Sequence, residues 1–147
     1  MIALQFEEIK PFMNKLLADT MFHNFILSGA TIVNGVSYTV EGHTVFSKVQ
    51  PVLFSMVKGS ETPSYMKMVF SLSPENIKST LASIHSELLP EEIGGMFINI
   101  TFQDGKLFAT TGVSYAIFTK DHALEGEWDR LVKLFFTKNN LFFETLS

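Results

Sequence analysis

The same order of residue types occurs twice along the chain, and this constrains the fold more than any other feature. Ile2, Leu4, Ile9, Lys10, Met13 and Leu16 align with Phe70, Leu72, Ile77, Lys78, Leu81 and Ile84 at an offset of 68. Thr31 to Gly35, then Tyr38 and Gly42, align with Thr101 to Gly105, Phe108 and Gly112 at an offset of 70. Val45, Phe46, Ser47 and Lys48 align with Ile117, Phe118, Thr119 and Lys120 at an offset of 72. A drift from 68 to 72 needs only short loop insertions. Repeats decide architecture before motifs do.

Each unit reads the same way physically. Ile2, Leu4 and Phe6 alternate as a half-buried strand, and so do Met68, Phe70 and Leu72. A helix follows in both. In the second unit Ser73 is an N-cap, Pro74 the first helical residue and Glu75 an acid at the positive end of the dipole. Its apolar stripe is Ile77, Leu81, Ile84 and Leu88, with His85 beside it. In the first unit the stripe is Ile9, Phe12, Met13, Leu16 and Leu17, and Pro11 requires a helix start near Glu7 or Glu8. Hairpins come next. Residues 25–33 and 36–46 flank Asn34-Gly35, and 96–103 and 106–118 flank Asp104-Gly105, dipeptides that supply the positive φ of a tight hairpin turn. Residues 52–58 and 65–72 read as a further hairpin across the polar loop 59–64.

The expected order is therefore strand, helix, three strands, then strand, helix, two strands. Leu124, Trp128, Leu131, Val132 and Phe135 add an amphipathic helix over 123–138, which Asn139-Asn140 breaks. Gly94-Gly95 reads as a connection. These elements predict an α+β fold with a mostly antiparallel sheet in one domain over 1–147. Repeat one spans 1–65, repeat two 66–122, and the C-terminal helix and tail 123–147.

Composition bounds the function. Of 147 residues 46% are hydrophobic and 18% charged, where soluble domains carry about 25%. With 15 Phe there is ample material for a core, and disorder, collagen and coiled coil are excluded. Cysteine is absent, which excludes disulfides, thiolate metal sites and cysteine nucleophiles and fits a reducing compartment. The start, Met1 to Glu8, lacks the basic and long apolar regions of a signal peptide. The longest stretch free of charge, Thr20 to Val40, holds too many polar residues for a bilayer. We expect a cytoplasmic protein without membrane contact. Eleven basic against 15 acidic residues leave a net charge of −4, with no global attraction to nucleic acid.

No nucleophile elbow, Walker loop, dinucleotide fingerprint or paired-histidine zinc helix is present, and no cofactor or metal is expected. Lys58-Gly59-Ser60 lacks the preceding glycine of a phosphate loop. Asp121-His122, with Glu125 three residues on, is the compact acid–base cluster; it suits proton transfer or, more simply, the cap of the following helix. The phenylalanines fall mostly at inward positions and are not interleaved with the basic residues that base stacking needs. Leu141, Phe142 and Phe143 either dock on the chain's own sheet or insert into a neighbouring subunit. Trp128, Phe135, Phe136, Leu141, Phe142 and Phe143 are the candidate partner surface.

Two tandem β-α-β-β(-β) units over residues 1–120 resemble one domain of the DNA sliding-clamp fold. That resemblance implies helices side by side on one face, non-enzymatic ring assembly and DNA threaded past helix-borne cations. Carried onto this chain, the candidate DNA-facing residues are Lys10, Lys15, Lys78 and His85. Glu7, Glu8, Asp19, Glu75 and Glu87 depart from the basic pattern. Closer in sequence, the chain resembles an uncharacterised family of small Firmicutes proteins through Met1 to Leu4, Lys58-Gly59 with Thr62-Pro63, and Leu72-Ser73-Pro74 with Asn76. Thr110-Thr111-Gly112, Ile117-Phe118-Thr119 and Trp128-Asp129 extend that likeness. It implies no activity. The leading expectation is a non-catalytic binding or assembly protein, homo-oligomeric or bound to a protein partner, with a clamp-like fold. The alternative is a small-molecule-binding domain or a hydrolytic enzyme using Asp121 and His122.

Overall fold

In the computed structural model, which describes residues 1–34, 36–57 and 63–146, the chain forms a single seven-stranded sheet with helices on one face. In chain order the elements are β1 (Ala3–Phe6), α1 (Ile9–Ala18), β2 (Ile26–Asn34), β3 (Val36–Val45), α2 (Phe46–Val57) and β4 (Tyr65–Ser71). After these come α3 (Pro74–Ser83), a 3₁₀ turn at Pro90–Glu92, β5 (Ile93–Gln103), β6 (Lys106–Tyr115), α4 (Ala123–Lys138) and β7 (Phe143–Thr145). The strands lie in the order β3-β2-β4-β5-β6-β1-β7, and every neighbouring pair is antiparallel.

Register explains the core. Leu27, Phe70, Ile98 and Thr111 stand opposite one another across four strands, as do Ala30, Met68, Ile100, Ala109 and Leu4. Ile32, Met66, Phe102, Leu107 and Phe6 form the third row. All of these are buried. The alternate rows, among them Val69, Asn99, Thr110 and Thr31, Thr101, Phe108, Gln5, are half-buried on the face without helices. One covered face and one wetter face give the alternating pattern expected of an antiparallel sheet.

Rings anchor the helices to the covered face. Phe12 of α1 packs against Phe6 at 4.5 Å, Phe46 of α2 against Phe70 at 5.0 Å, and Phe136 of α4 against Phe6 at 4.8 Å. Phe22, between α1 and β2, stacks on Phe70 at 4.6 Å. Gln50 of α2 is buried, and its amide donates to the carbonyls of Leu16 at 3.0 Å and Asp19 at 2.7 Å. These carbonyls close α1, where helical partners run out. The Gln50 side-chain oxygen meets the His23 ring.

Several expectations match the observed elements. Asp104 and Gly105 both have positive φ, 54° and 72°, so the β5–β6 hairpin turns as a type I′ turn requires. The Ser73 hydroxyl accepts from the Asn76 N–H with Pro74 at the first position of α3. α1 begins after Glu8, which leaves Pro11 in its first turn. α4 ends at Lys138, and Asn140, at φ 59°, reverses the chain. There the Asn140 N–H bonds the Thr137 carbonyl and the Leu141 N–H bonds the Phe136 carbonyl, a Schellman ending. The tail then adds β7 beside β1, so Leu141 and Phe143 dock on the chain's own sheet.

Two readings are corrected. Residues 52–57 do not form a strand: they belong to α2, and β4 pairs with β2 and β5 instead. The apolar run Val49 to Val57 satisfies either period, and burial of Phe46, Gln50 and Leu53 selects the helical one. Second, His85 is not helical. α3 stops at Ser83, and His85 takes φ 53° in a Schellman turn, its N–H on the Ala82 carbonyl and that of Ser86 on the Leu81 carbonyl. Ile84 and Leu88 therefore continue the apolar pattern outside the helix. The side chains of Trp128, Phe136 and Leu141 are buried. Gly35 of the first hairpin and Lys58-Gly59-Ser60, with the Thr62 of the polar loop, lie outside the described residues.

Candidate functional site

Helices α3 and α4 do not close against each other. Between them runs a groove of about 350 Å³, lined by Asn76, Ser79, Thr80 and Ser83 from α3 and by Trp128, Leu131, Val132 and Phe135 from α4. Phe25, Leu72 and Ile98 complete it, Ile98 coming from the covered face of the sheet. Both helices present the same spacing, i, i+3, i+4 and i+7, which is one face of a helix. On α3 that face carries short polar side chains, and on α4 it carries an indole, two aliphatic groups and a ring. The volume falls at the lower end of small-molecule pockets, about 300–1,000 Å³.

The polar side of the groove is already engaged with its own backbone. Ser79 Oγ donates to the Glu75 carbonyl at 3.1 Å, Thr80 Oγ1 to Asn76 at 2.8 Å and Ser83 Oγ to Thr80 at 2.7 Å. Such back-bonding is the usual fate of hydroxyls within a helix. The Trp128 indole N–H donates to the Phe97 carbonyl of β5 at 3.0 Å, which fixes the ring as one wall. Phe135 packs against Phe25 at 5.3 Å and Phe22 at 5.4 Å. Among the described residues no charged side chain lines the groove.

On its other side Trp128 borders a smaller hollow of about 200 Å³ with Met1, Thr111, Gly112, Val113, Glu125 and Asp129. Here Thr111 Oγ1 donates to the Asp129 carboxylate and accepts the Ile2 N–H at 3.0 Å. Nearby, the Tyr115 hydroxyl is enclosed beside Glu125. Burial first, then the negative charge of Glu125 and hydrogen bonding to its carboxylate, then the charge of Asp121, push this phenol up to about 12.

The residues singled out from sequence are distributed as follows. Trp128 and Phe135 line the groove. Phe136 and Leu141 turn inward, Phe143 is half-buried, and Phe142 stays 67% exposed. Asp121 caps α4 by accepting the Ala123 N–H at 3.0 Å, and exposed His122 meets Glu125 at 3.1 Å. Lys10, Lys78 and His85 are exposed, and Lys15 faces Asp19 at 3.9 Å. Sequence reasoning missed the α3 wall and Gln50. The signal for the first was the polar stripe at positions 76, 79, 80 and 83; Gln50 had none within a segment read as loop and strand. No described helix is long and apolar enough to cross a membrane.

Compared with known proteins, residues 43–144 match the model of a Family of unknown function (DUF5721), a span containing both walls of the groove. No curated protein and no solved structure matches the chain.

Proposed function

The chain belongs to this family of unknown function, and we propose that it is a non-catalytic binding protein whose ligand seats between α3 and α4. One observation carries the reading: an open groove of about 350 Å³ between two helices has a largely apolar wall of Trp128, Leu131 and Phe135. Its hydroxyls are bonded to helix backbone and, among the described residues, no His, Asp, Glu or Lys lines it to take up or hand over a proton.

The two-unit reading stays within this proposal. β1-α1-β2-β3-α2 and β4-α3-β5-β6-α4 share one order, which supports a duplication in which α2 and α4 are counterparts. A clamp-like use of DNA receives less support than ligand binding. α4 packs on α1 through Phe136 and Phe12 and borders α3 at the groove. Moreover, Lys15 faces Asp19.

The test is a backbone-amide NMR titration with a small set of uncharged aromatic and alicyclic compounds. Shifts confined to residues 72–83 and 124–135 and abolished by Ser83→Phe are expected. Shifts centred elsewhere, or none at millimolar compound, overturn the proposal. A labelled DNA duplex at low salt, where phosphate contacts are strongest, is expected to cause no change.

A further inference from the structure

We infer that the groove takes a neutral, largely apolar molecule carrying a hydrogen-bond donor, such as an arylamine or an alcohol. The inference rests on the reading of the groove as a binding site and adds the chemistry of its occupant.

Charge comes first. The eleven lining residues include no Asp, Glu, Lys, Arg or His. A carboxylate, phosphate or ammonium entering between Leu131, Val132 and Ile98 would lose water and gain no counter-charge, which strongly disfavours burial. Nucleotides and phosphorylated metabolites are therefore poor occupants.

Hydrogen bonding narrows the class further. The hydroxyls of Ser79, Thr80 and Ser83 donate to backbone carbonyls of α3, which leaves their oxygens free to act as acceptors. The Trp128 N–H is spent on Phe97. Among the described residues the Asn76 carboxamide makes no hydrogen bond and is the one free donor of the lining. An acceptor-rich wall satisfies a ligand N–H or O–H, and it leaves a ligand ether or carbonyl mostly facing lone pairs. Opposite, Trp128, Phe135 and Phe25 offer ring faces and edges to an aromatic or alicyclic body.

Three related dyes test this with the intact chain. N-phenyl-1-naphthylamine is neutral and carries an N–H; 8-anilino-1-naphthalenesulfonate adds a negative charge to the same skeleton; 1-phenoxynaphthalene replaces the N–H with an ether oxygen. Trp128 is the single tryptophan of the chain, so quenching of its emission reports occupancy beside it. We expect saturable quenching by the naphthylamine, with at least about tenfold weaker binding of the sulfonate and several-fold weaker binding of the ether. Ser83→Phe and, separately, Ser79→Leu, both at exposed positions of α3, are expected to remove the naphthylamine response while leaving the far-ultraviolet circular dichroism unchanged. Equal or tighter binding of the sulfonate, or equal binding of the ether, overturns the assigned ligand class while the groove remains a site. Failure of all three dyes to bind, or binding indifferent to both substitutions, overturns the site itself.

Discussion

The two sides of α4 make opposite interfaces from one helix. Toward α1, Phe136 is fully buried and meets Phe6, Phe12 and Phe22 at 4.8–6.3 Å. Toward α3, Trp128, Leu131 and Phe135 face Asn76, Ser79, Thr80 and Ser83 across about 350 Å³. The apolar supply from α4 is comparable on both sides, so the facing helix decides the outcome. Phe12, aided by Phe22 from the following loop, fills the space, whereas side chains no longer than asparagine leave it open. Protein interiors normally close such gaps, and this opening is the physical basis of the binding proposal.

Substitutions on the two sides should differ in size accordingly. Phe136→Ala should remove about 3–5 kcal/mol from the unfolding free energy in urea, because a ring packed on every side leaves a cavity. Gln50→Leu should cost about 2–3 kcal/mol, since the Leu16 and Asp19 carbonyls lose their donor and α1 loses its anchor on the closed side. Leu131→Ala, on the open side, should cost only roughly 1–2 kcal/mol, because the half-buried side chain already borders a void. If Leu131→Ala matched Phe136→Ala, the contrast between the sides would be lost.

The smallest expected effect lies beyond the groove. Tyr115→Phe removes an enclosed hydroxyl beside Glu125 and should change stability at neutral pH by no more than about 1 kcal/mol. The Tyr115 phenol ionises at about 12 in the folded chain against an ordinary 10.0. Its contribution is thus fully present below pH 10 and is lost as pH rises toward 12. Tyr115→Phe should flatten that alkaline decline in a thermal-unfolding series.

Local chemistry made parts of this architecture legible in advance. Asp104-Gly105, Ser73-Pro74 and Asn139-Asn140 each impose a backbone geometry that only one kind of turn or cap satisfies, and they mark where elements start or stop. α2 was illegible because Val49, Val52, Leu53, Phe54, Met56 and Val57 suit a buried strand and a helix alike. The end of α3 was masked by Ile84 and Leu88, which prolong the helical period beyond the Schellman turn at His85. The groove is harder still, for it is a mismatch between two helices and no single segment encodes it. Phe135 and Phe136 are neighbours in sequence, yet about 100° of helical rotation sends one to the groove and the other to the core. Which ring goes where depends on the packing of α1 and α3 around α4.

The most direct measurement is a set of intermolecular nuclear Overhauser effects from bound N-phenyl-1-naphthylamine. Ring protons close to the Trp128 indole and to the Leu131 and Val132 methyl groups are expected, with none at the exposed rings of Phe118 and Phe142. Contacts confined to Phe118 or Phe142 would contradict the assignment and leave the gap between α3 and α4 as a packing defect.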